Sequence, residues 1–207
     1  MNDKSSHRIL AAAVLLAAGF ALTGCATAFN APIHSTAEAI PAGDRLPLRV
    51  GVLISEPTLG YQCRAHIPLG EWVYPFGRDL PNVAVQTFSQ VFENVALVQS
   101  PDYQNYDLIV VPTFDEQATH VDISMSSILV HVAMSFAASD AKGVKWRKDF
   151  AGDLTTPGNN DAFAVHGQAV SKAVAAAAMA MRADFASARP RGEPAEAAPA
   201  AAAWWAK

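Results

Sequence analysis

The sequence predicts an α+β fold, a two-layer sandwich in which a mostly antiparallel or mixed sheet carries two amphipathic helices. Three observations point there. Apolar residues recur at helical spacing in two separate segments, around 80–95 and 161–185. A run of alternating apolar residues leads into the polar turn Asp140-Ala141-Lys142-Gly143 and out again, as a hairpin does. Several short apolar stretches bounded by Gly, Pro and Asp supply further strands, and strands mixed with helices in this order pack as layers.

Taken in order, residues 25–46 hold Pro32, Pro41 and Gly43, with Pro47 just beyond, and little periodicity, and read as a tether. Leu48 to Ile54 is a first buried strand. From Glu56 to Asp79, glycines and prolines interleave with Tyr61, Trp72, Tyr74 and Phe76, which suggests a long loop or a short, irregular hairpin. A helix starts near Asp79 or Leu80, because Pro81 suits a first turn where no backbone donor is required. Val85, Phe88, Phe92 and Val95 form its apolar face. Short strands follow at Ala96–Val98 and Leu108–Val111.

Ile128, Val130, Val132, Met134 and Phe136 then alternate along a longer strand. Val121, Ile123 and Met125 alternate in the opposite parity, so a bulge or bend is expected at Ser126-Ser127. Gly143 suits a positive φ, and Val144 and Trp146 begin the return strand. The last helix is capped by Asn160 or Asp161 and carries Phe163, Val170, Val174, Met181 and Phe185 on one face. Residues 188–207 fall to Ala, Pro, Glu and Arg, ending in Trp204-Trp205, and read as a disordered tail. The folded domain therefore spans 47–187.

The amino terminus has the layout of a secretion signal over residues 1–24. Lys4 and Arg8 precede an almost unbroken apolar run from Ile9 to Leu22. That run is short of the roughly 20 residues a membrane-spanning helix needs. It ends in Leu22-Thr23-Gly24-Cys25, which resembles the bacterial lipobox: an aliphatic residue, two small residues and a cysteine. The resemblance implies that Cys25 receives a diacylglyceryl group, that a signal peptidase recognises Leu22, Thr23 and Gly24 and cuts before Cys25, and that the new amino group is acylated. Two or three acyl chains hold a protein firmly to a bilayer, where one holds it only marginally. Ala26 stands where the family carries Asp as an inner-membrane retention signal, which implies an outer-membrane lipoprotein with its body in the periplasm.

The order of elements over 47–187 is in turn similar to the small domain shared by the curli secretion lipoprotein, the Pel polysaccharide lipoprotein and the amino-terminal domain of the Tol-system translocation protein. The likeness is one of pattern, without a residue signature, so it implies a fold and carries no functional residue with it. Small lipoproteins that assist envelope transporters are a second analogy.

Composition narrows the function. The chain's 15 basic and 19 acidic side chains lose Lys4, Arg8 and Asp3 with the signal, so the mature balance is acidic and does not favour nucleic acid. Lys142, Lys145, Arg147 and Lys148 read as a solvated hairpin. With Cys25 used for lipid, Cys63 has no partner in its own chain and is either buried and inert or paired between chains. One spare thiol and dispersed histidines give no zinc-ligand spacing, so no metal is expected.

No glycine-flanked serine nucleophile is present, and Ser124, Ser126 and Ser127 read as sheet residues. His120 and Asp122 share a strand face, as chance pairs often do. Asp115 and Glu116 read as solvated, and His166 as a structural histidine on the last helix. Gly158-Asn159-Asn160 falls short of a nucleotide motif, so no cofactor is expected. Tyr61, Trp72, Tyr74 and Phe76 either contact a partner or cover the end of the domain's own core.

The expectation is thus a non-enzymatic, lipid-anchored envelope protein acting in assembly or export. It would bind the membrane through Cys25 and an envelope protein or further copies of itself through its body. The alternatives are a transport-auxiliary lipoprotein holding a small apolar or lipid ligand between helix and sheet, and a hydrolase whose site is assembled from dispersed residues.

Overall fold

The computed structural model describes residues 26–28, 40–67, 70–124, 126–157 and 162–187. The segment read as a secretion signal, Cys25, the segment read as a tail with Trp204-Trp205, and the expected helix cap at Asn160 or Asp161 lie outside the described residues, as do the side chains of Phe163 and His166.

The elements are β1 (Ala26–Ala28), a 3-10 turn (Ala42–Asp44), β2 (Leu46–Leu53), α1 (Glu56–Leu59), β3 (Cys63–Ile67), β4 (Gly70–Tyr74), α2 (Leu80–Phe88), β5 (Phe92–Val98), β6 (Leu108–Phe114), β7 (His120–Ile123), β8 (Ser127–Asp140), β9 (Gly143–Pro157) and α3 (Ala162–Ser187). The fold is α+β, as expected. A six-stranded mixed sheet holds β5, β2 and β6 in parallel; β8 runs antiparallel to β6, and β9 antiparallel to β8. A second sheet has the order β1-β4-β3. The irregular hairpin read at 56–79 is thus α1 followed by β3–β4. Within the segment read as a tether, Ala26–Ala28 pair in parallel with Glu71–Val73.

The helix expected to carry Val85, Phe88, Phe92 and Val95 stops at Phe88. Ser89 N bonds to Val85 O, and Gln90 N and Val91 N bond to Thr87 O and Phe88 O, which tightens the last turn. Val91 O then accepts from Leu46 N, and the chain leaves as β5 beside β2. Phe92 and Val95 fit a helical period and a strand equally well, and pairing with β2 decides between them. The buried face of α2 is Leu80, Val83, Ala84, Thr87 and Phe88.

The parity change ahead of β8 falls at the expected bend: the chain folds back at 124–127 with Ile123 paired to Ile128, so odd positions of β7 share a face with even positions of β8. A second change of parity lies between β6 and β7. Phe114 pairs with Met134 and His120 with His131, so five residues, 115–119, lie opposite only two on β8. This odd excess of three residues flips the alternation from β6 to β7, and β7 continues beside β8 with Val121 buried. Thr119 stitches the excursion to β8: its Oγ1 donates to Ala133 O at 3.2 Å and accepts from Ala133 N at 3.1 Å. Ser124 to Ser127 is then a hairpin turn, closed by Ser124 N on Ser127 O and Ser127 N on Ser124 Oγ.

The hairpin at Asp140–Gly143 forms as expected, with Gly143 at φ 114°. Both longer helices lie on one face of the main sheet. There Val50, Val52, Val110, Ile128, Val130, Val132, Met134 and Phe136 meet Leu80, Val83 and Phe88 of α2 and Val170, Val174 and Met181 of α3, all essentially buried. Burial of this apolar surface is the main stabilising contribution, at roughly 1.5–3 kcal/mol for each large side chain. The opposite face of the sheet carries no helix among the described residues.

Candidate functional site

Among the described residues, two regions remain for function once the core is filled: the small sheet, whose first strand begins at the residue after Cys25, and the helix-free face of the main sheet.

The aromatic residues of 61–76 belong mostly to the core. Tyr74 and Phe76 are fully buried, and Tyr61 stacks on Phe114 with ring centroids 4.6 Å apart. Phe76 lies 6.1 Å from Tyr74 and 6.3 Å from Phe114. Of the partner contacts proposed from sequence, Tyr74 and Phe76 are therefore unavailable, because covering the core where the two sheets meet uses their whole surface. Tyr61 and Trp72 are half-buried against the same cluster. Cys63 is buried as well, and burial pushes its thiol pKa up. Burial also pushes Tyr61 up to about 12, with a contribution from the neighbouring Cys63, and raises Tyr74 for the same two reasons.

On the open face, the alternate residues of β8, from Leu129 to Ser139, are half-buried and flanked by the outward residues of β6, β7 and β9. Val111, Thr113, Ser135, Ala137 and Arg147 line a shallow trough of about 230 Å³. A second groove of about 420 Å³ lies against Arg49, Asn94, Val95, Ala96, Asn105 and Tyr106 near the β5 edge. Leu97 on that edge strand and Tyr103 nearby are exposed. Between the helices and the sheet, the described core side chains pack into one buried cluster.

The polar residues considered for catalysis are now placed. Ser124 and Ser127 are spent on their hairpin turn. Asp115 Oδ1 accepts from Gln117 N and Ala118 N, so this carboxylate shapes the β6–β7 excursion, while Glu116 is exposed. His120 and Asp122 do share a face, with Nε2 3.6 Å from Oδ2. Sequence reasoning missed two further pairs on that face: His131 with Asp153 at 2.5 Å, and the Ser135 hydroxyl, which donates to Asp149. Both join residues far apart in the chain, and only the β8–β9 register brings them together. Ser135 and His131 are four residues apart on one strand, roughly 13 Å at the strand rise, too far for a nucleophile and its base. Lys148, read as part of a solvated hairpin, instead pairs with Asp184 of α3 at 2.7 Å. No helix among the described residues is long and apolar enough to cross a membrane.

These features define a class by architecture: a two-layer α+β domain with both longer helices on one side of a mixed sheet and, among the described residues, no helix on the other. A solved structure shares this fold. The structure is similar to protein XCC0632 from Xanthomonas campestris, of family DUF330, at 13% identity and a TM-score of 0.50, covering 77% of this chain and 94% of that one. Looser likenesses include a putative lipoprotein from Caulobacter crescentus, with TM-score 0.37, 14% identity and 54% and 81% coverage. PelC from Paraburkholderia phytofirmans, solved as a dodecamer, gives TM-score 0.39, 14% identity and 68% and 93% coverage. The first likeness shows the fold alone, and the other two carry no argument. No protein-family model matches the chain, and no curated protein does.

Proposed function

We propose that the protein is a lipid-anchored, non-catalytic accessory of the bacterial envelope, held at the outer membrane through Cys25 with its body on the periplasmic side. One observation carries this reading: the lipobox-like Leu22-Thr23-Gly24-Cys25 ends one residue before β1, and β1 is paired to β4. An acylated Cys25 would lie at the rim of the small sheet, so the anchor would orient the body as well as retain it. The helix-free face and the β5 edge would then be offered to an envelope protein or a second copy in assembly or export. Structural use of Ser124, Ser127 and Asp115 supports the non-catalytic reading.

The test is the intact mass of full-length protein extracted from membranes, wild type against Cys25→Ser, together with inner- and outer-membrane fractionation. The expected wild-type product begins at an acylated Cys25 and fractionates with the outer membrane, while the variant keeps its signal or is released. A wild-type protein with an unmodified Cys25 overturns the anchor. Acylated protein in the inner membrane overturns the location alone.

A further inference from the structure

The β3–β4 hairpin of the small sheet runs outward from the body. At its root Cys63 pairs with Tyr74, both buried, and β3 lies beside β7. At its far end Ile67 pairs with Gly70, and the neighbouring His66 side chain is 86% exposed. Four residue steps separate root from end, roughly 13 Å at the strand rise. β1 lies parallel to β4 with Ala26 beside Glu71, so β1 begins at the hairpin's far end. One peptide bond joins Cys25 to Ala26, which keeps the two Cα atoms about 3.8 Å apart. Acyl chains on Cys25 would therefore leave the body at that end, with no length of chain between lipid and sheet.

The chemistry of the end suits a bilayer surface. Ile67 and Gly70 close it, and the two residues between them in the sequence, Pro68 and Leu69, carry no charge. The one acid of β3 and β4 is Glu71, and Arg64 Nη1 donates to its Oε2 at 2.8 Å, so its charge is met within the hairpin. His66 Nε2 stands 3.7 Å from the other carboxylate oxygen. No unpaired carboxylate of these two strands would thus be repelled by anionic headgroups. Half-buried Trp72 follows Glu71 on β4, and indole and arginine side chains favour the layer where an apolar interior meets water.

We propose that the far end of the β3–β4 hairpin is a membrane-docking foot: Ile67 and Gly70 enter the headgroup layer of the bilayer that holds the Cys25 acyl chains, with His66 and Arg64 beside the lipid phosphates. The proposal rests on the anchor reading above and adds to it the part of the protein surface that meets lipid. Acyl chains supply retention, and a second contact at the same point fixes orientation. The main sheet then stands off the bilayer by roughly the length of the hairpin, which keeps it clear of the headgroups.

The test uses protein expressed from the full-length chain, extracted from membranes, checked for acylation by intact mass and reconstituted into phosphatidylethanolamine–phosphatidylglycerol vesicles. A nitroxide is attached to the thiol of His66→Cys, an exposed position that tolerates the label. Lys142→Cys is the water-facing control, because it lies at the β8–β9 turn, the opposite end of β8 from β7. Wild type treated alike corrects for the buried Cys63. Power saturation in electron paramagnetic resonance then compares collisions with oxygen, which concentrates in lipid, and with a water-soluble nickel chelate. The expected result is nickel collisions several-fold fewer at 66 than at 142, with oxygen collisions kept. In acylated protein, equal nickel collisions at the two positions, or few collisions with both reagents at 66, overturn the foot and leave the anchor standing. An unmodified Cys25 overturns the anchor and the foot with it.

Discussion

At Gly152 the main chain of β9 runs against α3 so closely that a Cβ built there would sit 1.9 Å from the carbonyl oxygen of Ala169. Both partners are backbone, so neither can swing aside. Gly152→Ala is expected to destabilise the protein by about 3 kcal/mol through forced separation of helix and strand. Gly143 is needed for a different reason: its φ is 114°, with open space where a Cβ would go. Gly143→Ala should cost about 1 kcal/mol, from backbone strain alone. Urea unfolding midpoints of the two variants check both values. Equal losses would mean that the contact at Ala169 yields more easily than two backbones should. Gly143 was legible in the sequence because a polar turn between alternating strands requires such a residue. Gly152 was not, because nothing near it in the chain shows that a helix beginning ten residues later returns to lie upon it.

Among the elements, α3 gave the clearest signal in the sequence, yet its packing face is smaller than the large residues suggested. Ala169, Ala173, Ala177 and Ala178 are fully buried beside Val170, Val174 and Met181. Alanine at these positions is what lets the helix settle onto β8 and β9. Ala173→Leu should therefore destabilise by about 2 kcal/mol despite leucine's good helix propensity, because the added volume meets a filled interface. A thermal scan with unchanged or raised Tm would show the interface to be loose. The shorter elements were less legible. The end of α2 at Phe88 is set by capture of Val91 by Leu46, a contact across 45 positions. The change of parity from β6 to β7 is set by the excursion at 115–119, whose bond to Ala133 lies beyond any local pattern. In both places local periodicity fitted two structures, and a distant partner chose one.

For the whole molecule, the junction of the two sheets is a point of sensitivity to alkaline pH. Tyr61, Cys63 and Tyr74 all have pKa values raised by burial, so the folded state keeps protons that the unfolded chain would release. Their contribution to stability is full below the ordinary thiol value of 9.0 and is lost as pH rises past the tyrosine value of 10.0 toward about 12. The protein should unfold in alkali across that range, with tyrosinate absorbance at 295 nm appearing together with loss of structure. If Tyr61 and Tyr74 titrate near 10 in protein that is still folded, the junction is open to water.

The sequence alone determined the α+β class, both longer helices, the β8–β9 hairpin and the lipobox-like amino terminus, because each is written in neighbouring residues through periodicity, turn chemistry or a contiguous motif. The tertiary structure alone decided that β1 joins the small sheet, that Tyr74 and Phe76 are sealed in the core, and that His131 meets Asp153. Those outcomes depend on strand register and on which distant segment fills a given space, and contacts between residues tens of positions apart leave no local trace in the order of the chain.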